Sequence, residues 1–245
     1  MGTTANYRNM ALETNETMMS TGGVTVYDPK MKPVANRDLE SGGSDGRPMA
    51  ASVNKEEWVR GDPGPFGLLC FGMTTCMLMF ITTQWSEKTF LPTVFCYALF
   101  YGGFGQFCAG MLELIKGNTF GGTAFSSYGA FWMGWFLLEY LSTMNPTIIH
   151  KAQHGKTLWC GLWAFLTFGF FMVTLRKNGC LITIFSTLTI TFSLLAGGQW
   201  SENSELAAGY FGFFCGASAI YAAFAFLYKI ELGISLPGVR PVAFI

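Results

Sequence analysis

The sequence predicts an all-α integral membrane protein, a bundle of six transmembrane helices, and three observations carry that expectation. Of its 245 residues 51% are hydrophobic and only 12% charged, about half the charge of an average soluble domain. The charge is also gathered at one end, because residues 1–62 hold seven of the fifteen Lys and Arg and nine of the fifteen Asp and Glu. From Phe66 onward, apolar runs approaching the roughly 20 residues that cross a bilayer alternate with short polar breaks. The zero net charge therefore averages a polar tail with an apolar body, and it points to no nucleic-acid partner.

Residues 1–60 are rich in Gly, Ser, Thr, Asn and Met without apolar periodicity. Such a segment cannot offset its ordering entropy and is expected to be a disordered cytoplasmic tail. It lacks the basic start and apolar run of a secretory signal, and Asn6 stands where a myristoylation motif wants Ser or Thr. The transport-sized domain, residues 61–230, opens at Asp62-Pro63: an aspartate caps free helix N–H groups, and a proline in the first turn has none to satisfy. Spans are predicted over Phe66 to Thr83, Leu91 to Ile115, Thr123 to Leu141, Thr157 to Leu175, Leu181 to Gly198 and Leu206 to Tyr228. A short tail, residues 231–245, follows.

Lys55, Arg60, Lys116, Arg176, Lys177 and Lys229 fall on one side of these spans, and Lys88, Lys151 and Lys156 on the other. The richer side is the cytoplasmic one, so both termini should face the cytoplasm.

The seven cysteines lie in or beside the spans with no CxxC spacing, which reads as buried small hydrophobes. His150 and His154 share a loop without a third ligand nearby, and no metal site is expected. No nucleophile elbow, phosphate loop or paired His/Glu motif is present, so neither an enzyme nor a cofactor is expected. Gly102, Gln106 and Gly110, with Gly105 and Ala109 beside them, and Gly212 with Gly216 lie at helical spacing. Such positions let helices approach closely, either within one bundle or between identical subunits.

One segment departs from the greasy pattern. GNTFGGTAFSSYGAFW, residues 117–132, begins with glycines, hydroxyls and Asn118. A hydroxyl facing lipid without a partner is unfavourable by roughly a few kcal/mol. On a helix Thr119, Thr123, Ser126 and Ser127 fall near one stripe, which is expected to border a hydrated path. The alternative is that each hydroxyl bonds back to a carbonyl of its own helix.

GNTFGGTAFSSYGAFW closely resembles the corresponding segment of the acetate uptake transporter family, the SatP/YaaH group of bacteria and its fungal relatives. The likeness continues upstream through YGGFGQFCAGMLELIKGNTF and recurs in GLLCFGMTT and FFCGASAIY, covering roughly residues 62–228. The resemblance implies six-helix subunits assembled as a homohexamer in the plasma membrane, each with its own path for acetate, related monocarboxylates and, in some members, succinate. It implies an apolar constriction at Phe71, Tyr128 and Leu188. The family's entrance signature, Asn-Pro-Ala-Pro before Leu-Gly-Leu, reads here Asp62-Pro63-Gly64-Pro65-Phe66-Gly67-Leu68. Asp62, Pro63, Pro65, Gly67 and Asn118 are therefore expected along the substrate path with the hydroxyl stripe.

Asp62 in place of asparagine puts a negative charge at the mouth of an anion path. A like-charge pair at 4 Å costs about 1 kcal/mol in water and about 4 kcal/mol at an effective dielectric of 20. Glu113 matches a family glutamate and is the candidate for proton coupling; its other role is an ion pair with Lys116 three residues on. Glu139 is the second acidic group inside a span. A channel and a proton symporter need the same lined path. A six-span channel for another small solute such as ammonia, and a membrane scaffold or sensor, are the rival readings.

Overall fold

The computed structural model describes residues 61–145 and 152–242. The tail expected over residues 1–60, together with His150 and Lys151, lies outside them.

Among the described residues six long helices follow one another: α1 (Gly64–Thr82), α2 (Lys88–Lys116), α3 (Thr119–Met144), α4 (Gln153–Thr174), α5 (Gly179–Gly198) and α6 (Glu202–Glu231). All but α3 are both long and apolar enough to cross a membrane. With 26 residues α3 has the length, but its glycines, hydroxyls and tryptophans make it less apolar than its neighbours. Among the described residues the only β pairing is one bridge, Asn178 to Pro241.

Helix ends are set by local chemistry. The Asp62 carboxylate accepts the Gly64 N–H at 3.0 Å, and Pro63 supplies the carbonyl for the first full turn, to Gly67 N at 3.0 Å. α2 stops at Gly117, whose φ of 90° suits glycine. There Asn118 N–H reaches back to the Glu113 carbonyl and Gly117 N–H to the Leu114 carbonyl, a Schellman ending. Asn118 then caps α3 by accepting from Gly121 N–H at 3.1 Å, and Asn178 caps α5 in the same way through Leu181 N–H.

α2 is not a uniform helix. A 3₁₀ turn at Lys88–Phe90 leads into Leu91–Cys96, after which Tyr97–Gly105 adopts wide π turns before regular α geometry resumes at Gln106. Such widened turns are uncommon and recur at functional sites.

α1 packs against α6, α6 against α5 and α5 against α4, while α2 joins α1 to α3. The α1–α6 contact is close because Gly72 and Gly216 face each other; a Cβ built on Gly216 would stand 2.9 Å from the Gly72 carbonyl oxygen. Gly102 abuts Thr74, Gly110 abuts Ser126 and Gly212 abuts Met79. The small residues that left two uses open thus serve packing within this chain. α1 is the most enclosed of the five apolar spans, with 50% of its apolar stretch buried, and α4 the least, with 17%. Leu162, Phe165 and Phe168 of α4 and Phe100, Phe104 and Ile115 of α2 are exposed, an arrangement that suits lipid rather than water.

The C-terminal segment is packed rather than loose. After α6 the chain turns back, the Cys180 and Val242 N–H groups bond to the Gly238 and Lys177 carbonyls, and the Tyr221 hydroxyl donates to the Pro237 carbonyl at 3.0 Å. Val239 is buried against α5.

Candidate functional site

A cavity of about 190 Å³ opens at the end of the bundle where α1, α3 and α5 begin. Four helices bring its chemistry together: Pro65, Leu68 and Phe71 from α1, Gln106 and Glu113 from α2, Phe120, Ala124 and Tyr128 from α3, and Leu188 from α5. Asp62 and Asn118 stand on the same wall. The wall residues of α3, Phe120, Gly121, Ala124, Phe125 and Tyr128, recur at spacings of three and four, so they form one helical face.

Phe71, Tyr128 and Leu188 are each at most 5% exposed, and the Phe71 and Tyr128 rings lie 5.7 Å apart. Thr167 gives its proton to the Trp163 carbonyl at 2.6 Å, so the Tyr128 hydroxyl donates to Thr167 Oγ1 across 2.9 Å. That bond ties α3 to α4 and fixes the ring.

The mouth carries charge in compensated form. Lys116 Nζ sits 3.1 Å from Asp62 Oδ1, which removes the repulsion expected from a lone carboxylate there. Partial burial pushes the Asp62 carboxyl up, but the Gly64 N–H, the Lys116 ammonium and a hydrogen bond with Glu113 outweigh it and hold the group below its ordinary value of 3.8. The Glu113–Lys116 pair anticipated from their spacing is replaced: Lys116 turns to Asp62, and Glu113, 1% exposed, accepts the Asn118 amide at 2.7 Å.

The hydroxyl stripe expected along the path lies off this cavity. Thr119, Thr123, Ser126 and Ser127 are not on the cavity wall; Thr119 and Thr123 are exposed, and Ser126 meets Met111 Sδ on α2 at 4.0 Å. The polar stripe was real, but Phe120, Ala124 and Tyr128 take the inward face, so the hydroxyls point elsewhere. Pro63 and Gly67 also stand off the wall. Gly67 makes room for the Phe125 ring, which a Cβ would approach to 2.8 Å.

A second cavity of about 770 Å³ occupies the opposite end and shares no wall residue with the first. Lys88, Glu139, Lys156 and Glu205 are on its wall, with Glu139 and Lys156 paired at 2.5 Å. His154 stacks edgewise on Trp200 nearby, at 4.9 Å. Between the cavities lies an aromatic collar of three rings, in which Phe131 is 5.0 Å from Trp163 and 5.1 Å from Phe192; Tyr128, on the floor of the first cavity, stands 5.9 Å from Trp163.

Sequence reasoning missed the collar and also Gln106, which is fully buried on the first cavity's wall. The signal for Gln106 was available: it is an amide in the middle of the apolar run Leu91 to Ile115. For the collar no signal existed, since three aromatics far apart in sequence look like any core.

Residues 44–236 match the GPR1/FUN34/yaaH family. The chain is 37% identical over 174 residues to the succinate-acetate/proton symporter SatP of Escherichia coli, covering 70% of this chain and 91% of that protein. It is 31% identical to ammonia transport outward protein 2 of Saccharomyces cerevisiae, over 67% of this chain and 60% of the relative. The solved structure of the bacterial acetate channel SatP is similar in fold, with a TM-score of 0.67 at 34% identity over 75% of this chain and 99% of that one.

Proposed function

Because this chain belongs to the GPR1/FUN34/yaaH family, whose members compared above are named as transporters and a channel, we propose that it conducts acetate, related small monocarboxylates and the dicarboxylate succinate across a membrane. The observation that carries this reading is the cavity that leads from the Asp62–Lys116 mouth to a floor of Phe71, Tyr128 and Leu188. A hydrated inorganic ion finds nothing at that floor to replace its water, whereas a small acid with an alkyl end keeps apolar contact there. Acetate flux in proteoliposomes tests the reading. Phe71→Ala and Tyr128→Ala should admit larger carboxylates, and unchanged selectivity in both would remove the constriction role.

Proton coupling is assigned to Glu113, which is buried on the wall and accepts a hydrogen bond from the Asn118 amide. Uptake by Glu113→Gln that still follows an imposed pH gradient would remove that role. In the membrane all six helices span, homohexamers form, and the plasma membrane is the site. The end bearing Lys116, Arg176, Lys177, Lys229 and Arg240 faces the cytoplasm, the other end having Lys88 and Lys156. The mass of the detergent-solubilised assembly and the accessibility of Lys116 in sealed vesicles check these assignments.

The likeness to a protein named for outward ammonia transport supports a second reading. Neutral ammonia would also pass an apolar collar. Flux of ammonia without competition from acetate would favour it.

A further inference from the structure

Five polar side chains stand on the wall of the first cavity, and four have protein partners. Asp62 pairs with Lys116, Glu113 with Asn118, and Tyr128 with Thr167. Gln106 is the fifth: it is 0% exposed, and neither its Nε2 nor its Oε1 has a hydrogen-bond partner. Burying an amide with both ends unbonded is unfavourable, so such a group points to an occupant that completes it.

The charges around the cavity narrow what that occupant is. Among the described residues the wall includes two carboxyl groups, Asp62 and Glu113, and no Lys, Arg or His. Lys116 is engaged by Asp62, and Lys177 lies over the Phe120 ring, 5.7 Å from its centroid. α5 and α6 contribute only apolar groups to the wall, and α3 adds Tyr128 as its single titratable one. Among the described residues a carboxylate entering here would meet no cation on the wall.

An amide presents a donor and an acceptor side by side. Its complement is an undissociated carboxylic acid, whose C=O accepts from Nε2–H while its O–H donates to Oε1. A carboxylate can make only the first of these bonds, and its second oxygen would face Oε1 lone pair to lone pair. We propose that Gln106 binds the transported acid in its protonated form through this two-bond ring, with the alkyl end against Leu68, Phe71 and Leu188. The inference rests on the carboxylate-conduit reading and deepens it by naming the ionisation state that is bound. The acid picks up its proton before this point and releases it beyond the collar, and no bond other than O–H is made or broken.

Acetamide separates the alternatives because it offers the same acceptor and donor pair but cannot ionise. In proteoliposomes of the full chain, acetamide should inhibit uptake of labelled acetate. Gln106→Leu should weaken the apparent affinity for acetate about tenfold, as expected for two lost neutral hydrogen bonds, and should abolish inhibition by acetamide. Gln106→Glu keeps the shape and should move uptake to lower pH, since its own carboxyl must hold a proton to act as donor and acceptor at once. Acetate flux in the wild type without competition by acetamide would overturn the proposal, whatever the variants do. So would a Gln106→Leu protein that retains both affinity and inhibition. Absence of acetate flux in the wild type would instead remove the conduit reading beneath it.

Discussion

The two cavities face opposite ends of one bundle, yet they are built on different terms. The first is small, about 190 Å³, and its charges are either paired at the rim or hydrogen-bonded to an amide. The second is about four times larger and keeps a mostly buried ion pair on its wall with two further charged residues. The second chamber's two lysines are matched by two glutamates, so it carries no net charge to favour either sign of ion. The narrow one offers a single unpartnered amide. Under the proposed function, selection is expected of the first cavity and of the collar that separates the two.

The largest effect should come from breaking that separation. Phe131→Ala together with Phe192→Ala removes two of the three rings that close the collar, joining the chambers; thermal unfolding in detergent should show a loss of about 3 kcal/mol or more per ring. Uptake should lose its preference for small acids at the same time. Next, Lys156→Ala leaves Glu139 unpaired in the second cavity and should cost about 2 kcal/mol, with much of it recovered in the Lys156→Ala/Glu139→Ala double variant. If the single and double variants unfold alike, the pair contributes nothing beyond its geometry.

Asn118→Ala should have a smaller effect, about 1 kcal/mol for the lost helix cap, but it also frees Glu113. Its pH profile of uptake should shift, and that of Asn118→Asp, which keeps the cap but sets a second carboxyl against Glu113, should shift further. The smallest effect is at the rim. Asp62 has a lower pKa folded than unfolded, so its stabilising contribution is fully present above the ordinary value of 3.8 and is lost as pH falls through the folded value. Melting temperatures below about pH 4 should therefore decline less in Asp62→Asn than in the wild type, and only slightly, because the pair is more than one-third exposed.

Much of the bundle was legible in the sequence because hydropathy reports directly on what lipid tolerates. Asp62-Pro63 and Gly117-Asn118 were legible as helix boundaries for the same kind of local reason. The face of α3 was not. Its polar residues, Thr119, Thr123, Ser126 and Ser127, form a stripe, and so do Phe120, Ala124 and Tyr128 beside it; periodicity reveals both stripes without saying which one turns inward. α2 settles that choice, because Gly110 accepts Ser126 and leaves the other face to the cavity. The partner of Lys116 was hidden in the same way: spacing within α2 favoured Glu113, while Asp62 reaches it only once α1 and α2 pack.

The π turns over Tyr97–Gly105 make chain length itself a determinant of what meets the passenger. An α-helix turns by about 100° per residue and a wider turn by less, so relaxing this stretch to 3.6 residues per turn at constant length would re-aim everything beyond it. Gln106 and Glu113 would then face away from the cavity although neither had been altered. Deleting one residue at an outwardly bland position such as Phe100 would offset much of that rotation, because a wide turn is in effect one residue inserted into a regular helix.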